Sequence, residues 1–158
     1  MTPPNNDKLP WDVRQQVLWI VRGYERQKRE YLRSRMEILS TGGDRSATYT
    51  INGEERREYL PTAHNASRTT ENVATRLAML EQTAVFRQIR AVDHARARIG
   101  SDLPAELADK LREAIWLNCL DGNKYPFARL WVVGMSERTF YRRRNEFLRQ
   151  IAAEMGLF

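Results

Sequence analysis

Glu137, Arg138, Tyr141, Arg142 and Asn145 fall three and four residues apart, the interval that puts side chains on one stripe of an α-helix. Their types match the hydrogen-bonding edges of bases: an arginine fork binds guanine O6 and N7, an asparagine amide binds adenine N6 and N7, and a glutamate accepts from cytosine N4. Arg143, Arg144 and Arg149 are read as lying off that stripe and suit phosphate oxygens, which position a protein on nucleic acid without reporting sequence. Thr139 adds a hydroxyl near the helix start, where the backbone dipole favours anions. Ser136 is placed as the N-cap, its hydroxyl accepting from the backbone N–H of Arg138 or Thr139.

These side chains need a helix with its other face buried. Phe140, Phe147, Leu148, Ile151 and Met155 supply that face. Just upstream, Pro126 starts a short helix over 127–132, with Phe127, Leu130, Trp131 and Val133 as its apolar packing, and Gly134 occupies the turn at 133–135, where positive φ is needed. A short helix, a glycine turn, a cap and an arginine-rich helix over 124–157 follow the order of a helix-turn-helix DNA reader. Ahead of it, Asp102 and Pro104 are expected to start a helix whose buried side is Leu107, Leu111, Ala114, Ile115 and Leu120. That helix would be the first of a trihelical domain.

The remainder of the chain reads as scaffold. Residues 1–8 are polar; a long helix is then expected over Trp11–Ser40, with Val17, Tyr24, Tyr31 and Ile38 repeating at seven and Leu18, Val21, Leu32 and Leu39 beside them. The charged second half of that helix fits either a solvated surface or a coiled-coil-like contact between two copies, which Lys28 and Arg35 would weaken. Residues 41–68 are polar and form either a linker or a short hairpin turning at Asn52-Gly53, a pair suited to a type I′ turn. A single helix is expected from Thr69 until Gly100, striped by Val73, Leu77, Leu80, Ala84, Ile89, Val92 and Ile99. Its basic positions Arg76, Arg87, Arg90, Arg96 and Arg98 fit a solvated face.

Composition narrows the chemistry. A net charge of +6 and 26 basic side chains favour an anionic partner, nucleic acid ahead of a membrane surface. One cysteine, Cys119, precludes an intramolecular disulfide or a cysteine-based zinc site, and it reads as a small buried hydrophobe. His64 and His94 have no metal-pair spacing, and neither a GxxxxGK[ST] nor a GxGxxG loop is present. No enzyme, metal or cofactor is therefore expected. With no apolar run of membrane length and no leader, the expectation is a cytoplasmic protein with no membrane contact.

The run GMSERTFYRRRNEFLRQIAAEMGL resembles the end of phage transcriptional regulators of the ArpU and RinA type, whose C-terminal domain is similar to region 4 of sigma-70 factors. The resemblance is carried by 102–157 and more weakly by the helix opening at 68–74. It implies Ser136, Arg138, Thr139, Tyr141, Arg142 and Arg143 at DNA-facing positions, and a role as an activator of late prophage genes in the bacterial host.

The expected fold is thus all-α: a long N-terminal helix (1–40), a linker with or without a hairpin (41–68), and a helical domain (69–158) ending in a sigma-70 region 4-like helix-turn-helix. The expected function is sequence-specific binding of double-stranded DNA in transcription regulation. One helix makes few base contacts, each discriminating by about 1–3 kcal/mol, so a homodimer or contact with RNA polymerase would supply the remaining selectivity. The alternatives are a small-terminase-like DNA-packaging protein, or a basic helical module that binds an acidic protein or lipid.

Overall fold

The computed structural model describes residues 8–40, 46–59 and 66–158. Among these the chain forms six helices and one two-stranded sheet: α1 (Trp11–Ser40), β1 (Ser46–Ile51), β2 (Glu54–Tyr59), α2 (Ala66–Glu81), α3 (Ala84–Arg98), α4 (Ala105–Leu120), α5 (Phe127–Leu130) and α6 (Glu137–Glu154). No described helix is long and apolar enough to cross a membrane. The residues group into two compact units, one made of the chain up to Gln27 with Arg87–Phe158, the other of Lys28–Phe86.

The first unit holds a helical core. Val17 and Val21 of α1, Val92 of α3, Leu111, Ile115 and Cys119 of α4, and Phe140, Phe147, Leu148 and Ile151 of α6 are all fully buried. Each such aliphatic or aromatic side chain contributes about 1.5–3 kcal/mol on leaving water. On α6 the buried set is the expected one, except that Ala152 is buried and Met155 only half so.

Polar contacts lock the packing of this unit. The Tyr24 hydroxyl donates to Asp93 Oδ1, and the Tyr24 ring meets Trp116 edge-on at 5.2 Å. Arg96, expected on a solvated face, lays its guanidinium over the Trp116 ring at 4.4 Å. Arg22 Nε donates to the Cys119 carbonyl at 3.3 Å. After α3 the chain turns at Gly100, whose φ is +70° and whose absent Cβ would lie 2.9 Å from Ala108. Conformation and space both require glycine there.

Three expectations about helix boundaries change. The helix read as continuous from 69 breaks at Gln82-Thr83, because the Thr83 hydroxyl donates to the Leu80 carbonyl and accepts from the Phe86 N–H; that local bonding competes with the helix ladder. Asp102 does not cap α4; Pro104 holds the cap position with no side-chain cap bond. The short helix ends at Leu130 rather than 132, since Trp131 adopts a left-handed conformation (φ 53°).

In the second unit β1 and β2 pair antiparallel in the register Ser46↔Tyr59 to Ile51↔Glu54. Asn52 and Gly53 both have positive φ, 54° and 80°, which is the signature of a type I′ turn. A hairpin therefore occupies part of the polar stretch read as either linker or hairpin. Tyr31 and Phe86 stack with ring centroids 5.3 Å apart. The α1 stripe stays covered at Ile38, whereas Leu32, Met36 and Leu39 are exposed.

Candidate nucleic-acid interface

Each end of the segment leading into α6 is fixed by a local bond. Asp121 Oδ1 accepts from the N–H groups of Asn123 and Lys124, both at 3.1 Å, and so turns the chain out of α4. Asn118, a buried polar residue of α4, donates through Nδ2 to the Tyr125 carbonyl at 2.9 Å. Pro126 then precedes the single turn of α5, and Phe127 packs on Phe140 of α6 with centroids 5.3 Å apart.

Between α5 and α6 lie residues 131–136, with positive φ at Trp131 and at Gly134 (78°). This connection is longer than the three or four residues of a tight helix-turn-helix. Ser136 is the N-cap: its Oγ accepts from the Thr139 N–H at 3.2 Å and donates to Thr139 Oγ1 at 2.9 Å. Of the two N–H groups considered from sequence, Thr139 is the one bonded.

The solvent side of α6 is concave. Arg138, Thr139, Tyr141, Arg142, Asn145 and Arg149 line a depression of about 830 Å³, joined by Glu146 and by Lys8 from the segment before α1. Four cationic side chains, Lys8, Arg138, Arg142 and Arg149, therefore share one surface with a single carboxylate. Glu137 is exposed at the helix start but is not part of the lining.

Two of the sequence-derived arginines point elsewhere. Arg143 forms a bidentate pair with Asp102, Nη1 to Oδ1 at 2.9 Å and Nη2 to Oδ2 at 2.8 Å, and its side chain is only 17% exposed. Arg143 holds the Asp102 carboxyl down at about 2, and Asp102 in turn raises the Arg143 pKa. Arg144 is not part of the lining; burial pushes the Cys119 thiol up to about 11, and the positive charge of Arg144 offsets part of that rise. Arg149, in contrast, lines the depression. It lies four residues beyond Asn145, a spacing that already puts it on the same stripe, and its guanidinium stands over the Phe158 ring at 5.2 Å.

Trp131 and Val133, expected to pack in the interior, are 81% and 75% exposed; Val132 is the buried residue of that trio. A bulky residue at positive φ is strained, and an exposed indole forgoes its burial energy. Periodicity cannot anticipate this, because the left-handed turn at Trp131 reverses which side chains face inward.

Chemically, this surface can engage a polyanion through separated guanidinium and ammonium groups while presenting a phenol and an amide to edges between them. No protein-family model matches the chain, and neither a curated protein nor a solved structure is significantly similar to it.

Proposed function

We propose that this chain is a sequence-specific reader of double-stranded DNA and acts in transcription regulation, as a binding protein and not an enzyme. The observation that carries the reading is the concave face of α6, where Lys8, Arg138, Arg142 and Arg149 surround Tyr141 and Asn145. Cationic groups at the margins neutralise phosphates; Arg138, Arg142 and Asn145 are of the types that read guanine and adenine in the major groove. The helix start at Ser136–Thr139 adds a favourable dipole for a phosphate.

The resemblance of 102–157 to the ArpU and RinA type extends the proposal to activation of late prophage genes in the bacterial cytoplasm, with a sigma-70 region 4-like helix-turn-helix and RNA polymerase as a partner. The one-turn α5 and the six-residue interval before α6 are a departure from the compact form of that motif, and they leave Trp131 and Val133 beside the reading helix.

The test is duplex affinity of the intact chain as a function of salt. The expected log K falls by about 0.9 per neutralised phosphate for each tenfold rise in salt. Replacing Arg149 or Lys8 by Ala should lower that slope by about one contact. An affinity that does not change between low and physiological salt would remove the proposal.

A further inference from the structure

Trp11 and Trp19 are 75% and 74% exposed on the first half of α1. With Gln15 between them they form one row at four-residue spacing, the ridge through which helices pack across one another. Trp19 also borders a cleft of about 500 Å³ whose walls include Ile20, Met155 and Leu157 and whose rim is Gln15, Gln16 and Gln88. The one charge lining it is Arg22, whose Nε is engaged by the Cys119 carbonyl. Beyond Trp19, Gly23 leaves a second hollow of about 300 Å³ with Arg22, Arg26 and Gln27.

We infer that a second copy of this chain occupies this face, its α1 crossing the first antiparallel about a two-fold axis at Gln15. Gln15 is four residues from each tryptophan, so the axis sets Trp11 of one protomer beside the partner's Trp19 and its cleft, and the reverse. Such an isologous contact needs a patch complementary to itself, and an alternating row of indole, amide, indole is one. Charge favours the same occupant. On a chain of net charge +6, two copies approach most easily where cations are few; Arg22 is the one charge lining the cleft, and its three glutamines offer amides that donate and accept equally across the axis.

The area is also appropriate. A tryptophan buries about 150–250 Å², so four indoles three-quarters exposed would bring roughly 600 Å² of aromatic surface into the contact. That is a large share of the roughly 1,200–2,000 Å² of a stable interface, placed at its centre, where tryptophan dominates binding energy. The contact differs from a coiled coil through the charged second half of α1, which this geometry leaves out.

The test needs no nucleic acid, so its failure leaves the DNA reading standing. Sedimentation equilibrium of the full chain should give a dimer at micromolar concentration, and Trp19→Ser should weaken it at least tenfold with helix content unchanged. Gln15→Cys, set against itself across the axis, should form a disulfide-linked dimer far faster than Glu106→Cys, an exposed control on α4. A monomeric wild type, a dimer insensitive to Trp19→Ser, or equal cross-linking by the two cysteine variants would each overturn the inference.

Discussion

Arg143 of α6 grips Asp102, in the connection between α3 and α4, with both terminal nitrogens at 2.9 and 2.8 Å. This pair anchors the middle of α6 to the connection before α4 and occupies a guanidinium that sequence alone would have assigned to phosphate. Planar, two-bond geometry of this kind fixes orientation as well as charge.

One consequence separates neighbouring arginines. Arg143→Ala is expected to lower the melting temperature while leaving duplex affinity within about twofold and its salt slope unchanged. Arg142→Ala should do the opposite, leaving stability intact while weakening duplex affinity and relaxing specificity at one base position. Thermal melts and fluorescence anisotropy at several salt concentrations distinguish the two; a loss of salt slope in Arg143→Ala would show that Arg143 leaves Asp102 to bind phosphate.

The same pair gives a pH signature. The Asp102 carboxyl is held down from 3.8 to about 2, first by Arg143 and then by its own backbone N–H. A depressed acid stabilises the folded chain above its unfolded pKa, and that contribution is lost as pH falls through the folded value. Asp102→Asn should therefore be less stable than wild type near neutrality, with the gap closing between about pH 4 and pH 2. Denaturant titrations at fixed pH measure the gap, and one that stays constant over that window would contradict the account.

Gly100→Ala tests the corner before α4. A methyl group there meets Ala108 at 2.9 Å on a backbone at φ +70°. Overpacking and left-handed strain together should cost about 2–4 kcal/mol, read as a shift in urea midpoint at unchanged m. A shift below about 0.5 kcal/mol would mean the corner relaxes freely.

Trp131 combines a left-handed backbone (φ 53°) with an exposed indole. Because asparagine tolerates the left-handed region better, Trp131→Asn should melt no lower than wild type. Duplex affinity should nonetheless fall severalfold at constant salt slope, since an apolar contact with sugars or thymine methyls releases no counterions. Unchanged affinity would assign this exposed indole to some other partner.

Much of this architecture was legible because the signals were local. Trp11–Ser40 follows from a long apolar repeat, the hairpin turn from Asn52-Gly53, and the start of α6 from Ser136 three residues before Thr139. What escaped was long-range or depended on one dihedral angle. Asp102 looks like a cap until Arg143, 41 residues later, claims both its oxygens. Trp131 looks like core until its φ turns positive. Arg149, read as lying off the stripe, lines the same depression as Asn145, and the four-residue interval between them already places the two on one side of the helix. Trp11 and Trp19 stand outside the α1 stripe of Val17, Val21, Tyr24 and Ile38, and their exposure agrees with the helical period.

The most direct test of the central claim is selection of bound sequences from a pool of random duplexes, run in parallel for wild type, Arg138→Ala and Asn145→Ala. Reading by the α6 stripe predicts a short enriched motif for wild type. Specificity should be lost at a guanine position in the first variant and at an adenine position in the second, each by about 1–3 kcal/mol. Absence of any enriched motif for wild type, or the same motif retained undiminished by both variants, would contradict it.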